Sequence, residues 1–175
     1  MASDAPHKEL IRVSGVVEES VVDGPGLRYV LFTQGCPHGC PGCHNPETHS
    51  LSGGRLLSIS SVLAAIRENP LLAGATFSGG EPFLQPDPLC LLAEGIHALG
   101  GNVAVYTGYT LEALGDLAAG NPSAARLLSL ADLLIDGPYV QALRDLDLPF
   151  RGSRNQRILE RPEIRAALES ARIFF

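Results

Sequence analysis

No stretch of the 175-residue sequence is apolar for long enough to cross a bilayer. The longest candidates, such as Leu127 to Ile135, are broken by Ser129 and Asp132. Basic charge is scarce too: 13 Lys plus Arg stand against 19 Asp plus Glu, a formal net charge of −6. A chain this acidic has no overall field to gather nucleic acid or anionic lipid, so neither nucleic acid nor membrane is expected as a partner. The stretch Met1 to Leu10 lacks the continuous greasy core of a signal peptide, carrying Asp4, Pro6 and Glu9 instead, and predicts a cytoplasmic protein. Internal repeats, low-complexity tracts and divisive linkers are also missing. What remains is 45% hydrophobic and 18% charged, enough apolar material for a core and for one domain over 1–175.

Cysteine is sparse and unevenly spread. Of four, Cys36, Cys40 and Cys43 fall within eight residues and Cys90 lies far away. In a chain without an export signal and with a sufficient core, this pattern points away from disulfides and towards metal or redox chemistry.

Short β-branched and aromatic runs alternate with helical patterns. Ile11 to Glu18 and Arg28 to Thr33 read as strands joined by the turn Asp23-Gly24-Pro25-Gly26. Ser60 and Ser61 can cap a helix through Val62, Ala65, Ile66 and Glu68, stopped by Asn69-Pro70. Further strands are expected at Ala75 to Phe77, Asn102 to Tyr106, Asp132 to Asp136 and Arg157 to Leu159. Helices are expected at Pro88 to Leu99, Leu111 to Ala119 and Pro162 to Ala171. Strand-helix-strand alternation implies parallel strands and right-handed crossovers. The length suits about five or six strands, too few for a closed eight-stranded barrel, so the expected fold is an α/β open partial (β/α) barrel of mainly parallel strands.

The cysteine loop runs from Gly35 to Glu47 with spacing C-x3-C-x2-C. Prolines and glycines between the thiols prevent regular structure, so three sulfurs can converge on one centre that is one ligand short. A zinc site completed by His38, His44, His49 or Cys90 is the alternative on spacing alone. Cys90, among Leu89, Leu91 and Leu92, reads as an ordinary buried thiol, and His38 and His44 as residues that pack around the loop. Three more loops follow expected strands: Ser78-Gly79-Gly80-Glu81-Pro82, Thr107-Gly108-Tyr109 and Asp136-Gly137-Pro138-Tyr139. Parallel α/β folds gather ligands at the carboxyl ends of strands, so these loops should share a face with the cysteines. Gly79-Gly80 offers bare backbone to a ligand, and Glu81 a carboxylate suited to an ammonium group.

The ordered set of segments resembles the radical S-adenosylmethionine enzymes and, among them, the activating proteins of anaerobic ribonucleoside-triphosphate reductase. It comprises Val22-Asp23-Gly24-Pro25-Gly26-Leu27-Arg28, Gly35-Cys36-Pro37-His38, Cys40-Pro41-Gly42-Cys43-His44-Asn45 and Ser78-Gly79-Gly80-Glu81-Pro82. It continues with Tyr106-Thr107-Gly108-Tyr109, Ile135-Asp136-Gly137 and Arg151-Gly152-Ser153-Arg154-Asn155-Gln156, covering nearly the whole chain. Gly42 departs from the wider superfamily, where most members carry an aromatic residue, but suits the activase branch.

The resemblance implies a [4Fe-4S] cluster on Cys36, Cys40 and Cys43, with S-adenosylmethionine chelating the fourth iron. Gly79, Gly80 and Glu81 would position its amino end, and Thr107 and Asp136 would line the pocket. One electron, from a donor such as flavodoxin or ferredoxin, would yield methionine and a 5′-deoxyadenosyl radical. That radical would take a hydrogen atom from a glycine of the large subunit of the reductase, leaving a glycyl radical. Asp23 matches a position near the substrate peptide in related activases and stands as the catalytic candidate; as a turn-forming Asx residue it has a purely structural alternative. Arg28 either pairs with a carboxylate of the site or flanks a strand.

Two competing functions follow. A zinc-binding interaction module accounts for the cysteines and leaves the rest of the ordered set unexplained. A pyruvate formate-lyase activating enzyme shares the Asp-Gly-Pro-Gly turn and the Cys-His-Asn segment, but such enzymes are usually longer, and the Arg-Gly-Ser-x-Asn-Gln segment favours the reductase. Residues 151–175 hold six arginines and three glutamates, a basic end that is either a docking surface or a solvated helix face.

Overall fold

The computed structural model describes residues 9–173. Most of the Met1 to Leu10 stretch, and the last two residues of the basic end, lie outside the described residues. Seven strands form one sheet in the order β3-β1-β2-β4-β5-β6-β7. They are β1 (Leu10–Ser20), β2 (Arg28–Thr33), β3 (Arg55–Ser58), β4 (Gly74–Gly79), β5 (Asn102–Tyr106), β6 (Leu133–Asp136) and β7 (Arg157–Glu160). Among the described residues there are five α-helices, α1 (Ile59–Glu68), α2 (Pro86–Ala98), α3 (Leu111–Gly120), α4 (Pro122–Leu130) and α5 (Arg161–Ser170), besides three short 3-10 turns. None of these helices is long and apolar enough to cross a membrane.

The expectation of a mainly parallel sheet of five or six strands holds only for its middle. β2, β4, β5 and β6 run parallel, whereas β1 pairs antiparallel with β2 and β3, and β7 pairs antiparallel with β6. The sheet is open, with β3 and β7 as its edges. Strand β3, Arg-Leu-Leu-Ser, has no β-branched residue and alternates poorly, so its pairing to β1 is not visible in its own composition. Helix α4 was hidden by its apolar run; its signal is Asn121-Pro122, where the Asn121 side chain accepts from Ser123 N and Ala124 N at 3.1 Å and Pro122 fills the first turn.

Local chemistry sets the other helix starts. Ser58, two residues before the expected cap, accepts from Ser61 N at 3.2 Å and opens α1, whose Ile59, Val62 and Ile66 form the buried stripe. Thr110 caps α3 in the same way. One face of the sheet carries Leu31, Ala75, Phe77, Val103, Val105 and Leu134 into the core against the helices, with Leu89, Leu92 and Ile96 of α2 at its centre. At about 25 cal/mol per Å², this apolar burial is the main stabilising term.

The parallel register decides where chemistry can sit. Arg28 is level with Gly74, and Gly74 with Asn102, at the amino ends of β2, β4 and β5. Thr33 is level with Gly79 at the carboxyl ends. The loops that follow β2, β4, β5 and β6 therefore leave from one rim.

Candidate functional site

That rim carries a cavity of about 140 Å³. Its wall includes Cys36, Cys40 and Cys43 from the loop after β2, Gly79 and Gly80 after β4, Thr107 and Gly108 after β5, and Gly137 after β6. The three cysteines are unpaired and half-buried, so each thiol is both held and reachable. Burial raises the Cys36 thiol; the His38 backbone N–H pulls it down, and Glu81, Cys40 and Cys43 push it further up. Tyr106, also on the wall, has its phenol raised by burial and stays protonated.

Cys90 lies apart on α2, buried, with its Sγ donating to the Ser123 carbonyl at 3.4 Å. Burial pushes its thiol to about 12. It is the structural thiol that its apolar neighbours predict.

Gly79 and Gly80 line the cavity and also leave no room for a side chain against the preceding loop. Gly79 adopts φ +87°, and a Cβ there would lie 2.6 Å from the Phe32 Cα. At Gly80 a Cβ would lie 2.8 Å from the Thr33 carbonyl oxygen and closer still to that of Gly35. The bare backbone is needed first for one loop to pack on the other.

Glu81 sits just behind these glycines. Its carboxylate is 0% exposed and does not reach the cavity wall. One oxygen accepts from Phe83 N at 3.1 Å and Thr107 Oγ1 at 2.9 Å. The other accepts from Gly108 N at 3.0 Å, Thr107 Oγ1 at 2.9 Å and His38 Nε2 at 2.7 Å. Four groups, with the one Thr107 hydroxyl shared between both oxygens, thus donate to this carboxylate.

Asp136 lies behind the wall as well. It is 1% exposed, caps α3 by accepting from Leu111 N at 2.7 Å, and pairs with Arg157, whose Nε donates at 3.0 Å. The cavity is lined instead by its neighbour Gly137. Thr107 does line the cavity, with its hydroxyl donated to Glu81.

Asp23 does not line the cavity either. Its carboxylate accepts from Ser20 Oγ at 2.5 Å, and its carbonyl accepts from Thr76 Oγ1 at 2.7 Å, placing the turn across the face of β4 that points away from the helices. Arg28 neither meets a carboxylate nor merely flanks a strand. Fully buried, it donates to Thr76 Oγ1, Asn102 Oδ1 and the carbonyls of Pro25, Ala75 and Asn102. Desolvation lowers its guanidinium from the ordinary value.

Two further wall residues are His44, expected to pack around the loop, and Gln156, not singled out from its segment. His44 packs against Tyr139 in a tilted arrangement, with ring centres 4.8 Å apart. Gln156 closes the next loop, donating to the Gly137 carbonyl at 3.1 Å and accepting from Gly152 N at 2.9 Å. Its signal is its place at the end of the Arg-Gly-Ser-Arg-Asn-Gln segment. A Cβ at Gly42 would meet the Gln141 side chain at 2.9 Å, so the place of the missing aromatic residue is taken from another loop. Two arginines of the basic end are spent internally, Arg157 on Asp136 and Glu112 and Arg161 on Asp132.

The wall of this cavity thus gathers three thiols and bare glycine backbone, and cysteine sulfur is the ligand that iron–sulfur clusters take. A family model described as a 4Fe-4S single cluster domain matches residues 22–159, which defines the class. Among the relatives, the anaerobic ribonucleoside-triphosphate reductase-activating protein of Salmonella typhi is 37% identical over 145 residues, covering 78% of this chain and 90% of that protein. Its counterpart in Vibrio cholerae is 35% identical, with 78% and 89% covered. A pyruvate formate-lyase-activating enzyme of Clostridium pasteurianum is 42% identical over 81 residues, which is 43% of this chain and 34% of the enzyme. The chain belongs to the family of anaerobic ribonucleoside-triphosphate reductase-activating proteins.

Proposed function

We propose that this chain activates an anaerobic, class III ribonucleotide reductase by generating a glycyl radical on its large subunit, using a [4Fe-4S] cluster and S-adenosylmethionine. The observation that carries the reading is the single cavity shared by Cys36, Cys40, Cys43 and the strand-end loops at Gly79-Gly80, Thr107-Gly108 and Gly137. When bound, the cluster supplies the electron that cleaves the cofactor's sulfonium, and the reductase glycine supplies the hydrogen atom then abstracted.

Cys36, Cys40 and Cys43 hold the cluster. Thr107 and the backbone at Gly79, Gly80 and Gly108 orient the cofactor, and Glu81 holds these loops in place. Asp23, on the exposed-side turn against β4, meets the incoming peptide. One domain, a radical S-adenosylmethionine type of open partial barrel, carries the whole site. It works in the cytoplasm with flavodoxin or ferredoxin as electron donor.

The pyruvate formate-lyase alternative is weaker because that relative matches only 43% of this chain, against 78% for the reductase activators. Anaerobic reconstitution tests the assignment. Cys36→Ala, Cys40→Ala and Cys43→Ala should each lose the intact cluster. Stoichiometric zinc without sulfide in the strictly anaerobic wild-type protein would overturn it.

A further inference from the structure

We propose that His38 is the positioning residue through which the cluster loop and the cofactor loop are coupled, with Glu81 as the shared acceptor. The inference rests on the proposed function. His38 lies between Cys36 and Cys40, and its Nε2 donates to Glu81 at 2.7 Å. Among the described residues this is the one hydrogen bond joining the stretch Pro37 to Cys43 to a residue outside the cysteine loop.

The imidazole is clamped as well as bonded. A Cβ on Gly108 would lie 2.6 Å from His38 Nε2, so only glycine lets the ring lie against the loop after β5. Tyr109 meets the ring edge-on, with centres 4.6 Å apart. The same Glu81 carboxylate takes the Thr107 hydroxyl and Gly108 N–H from the cofactor side of the cavity. A buried carboxylate must keep its donors, so a shift of the cysteine loop that withdraws His38 disturbs Thr107 and Gly108, and the reverse. Any free-energy coupling between two sites is reciprocal.

The test uses cluster-loaded protein without S-adenosylmethionine, so direct chelation of the iron plays no part. The rate of iron release to a chelator is compared in wild type, His38→Ala, Thr107→Val and the double variant. His38→Ala should release iron about tenfold faster, the loss expected for one charge-assisted hydrogen bond. Thr107→Val, whose side chain bonds to Glu81 and to no cysteine, should also accelerate release. The double variant should fall short of the product of the two effects, because both act through one carboxylate. His38→Gln, which keeps a side-chain N–H donor, should recover most of the wild-type rate. Iron release at the wild-type rate in Thr107→Val, or effects that simply multiply, would overturn the coupling while the cluster assignment stands. A wild-type chain that takes up no iron and sulfide would overturn the proposed function itself, and the coupling with it.

Discussion

Gly80 lies against the backbone of Gly35 with no room for a side chain, and Glu81 N donates to the Gly35 carbonyl at 2.7 Å. This contact seats the loop after β4 directly on the root of the cysteine loop. Gly80 N adds a second tie, to the Thr33 carbonyl at 2.8 Å. Gly80→Val should therefore dislodge both loops together. The expected result is loss of S-adenosylmethionine binding and of the cluster's visible absorption, with about 1–3 kcal/mol of overpacking cost in denaturant melts. A variant that keeps its cluster and stability and loses only cofactor affinity would mean that the side chain meets the cofactor rather than Gly35.

Arg28 braces the far end of the sheet. Its guanidinium satisfies acceptors on Thr76, Asn102, Pro25 and Ala75, and through Thr76 it touches the Asp23 turn. Arg28→Ala strands those buried acceptors and leaves a cavity, and should cost about 3 kcal/mol or more. The chemical-denaturation midpoint checks this. Arg28→Lys should recover only part of the loss, since an ammonium cannot reach acceptors spread across that fork. An unchanged midpoint in Arg28→Ala would contradict the bracing role.

Strand β5 was legible to the residue because Gly100-Gly101 marks its start and Thr107-Gly108 its end. The rim was legible for the same reason: glycine-rich segments follow each parallel strand, and topology puts them together. β3 and α4 were not, since one is held by its neighbour's hydrogen bonds and the other opens on an Asn-Pro cap inside an apolar run. The internal partners of Glu81 and Asp136 were not legible. A sequence shows a carboxylate beside a site, but not that Thr107, Gly108 and His38, or Leu111 and Arg157, already occupy its oxygens.

Cys90 should be inert where the loop thiols react. Its thiol is raised from 9.0 to about 12 by burial, so the folded state holds a proton that the unfolded state releases. Its contribution to stability is therefore full below about pH 9 and declines as the pH rises towards 12. Alkylation of the cluster-free native protein at pH 8, read by peptide mass spectrometry, should mark Cys36, Cys40 and Cys43 and leave Cys90 unmarked until the chain is unfolded. Cys90→Ala should reconstitute a full cluster. Rapid native labelling of Cys90, or a cluster lost with it, would contradict its structural assignment.

The central claim is the identity of the protein that receives the radical. The reduced, cluster-loaded chain and S-adenosylmethionine are mixed anaerobically with the large subunit of anaerobic ribonucleotide reductase and, separately, with pyruvate formate-lyase from the same organism. Electron paramagnetic resonance then looks for the doublet of a glycyl radical. The account predicts the doublet with the reductase and none with the lyase, and its disappearance in Cys36→Ala. A doublet with the lyase alone, or none with the reductase while the cofactor is cleaved, would contradict it.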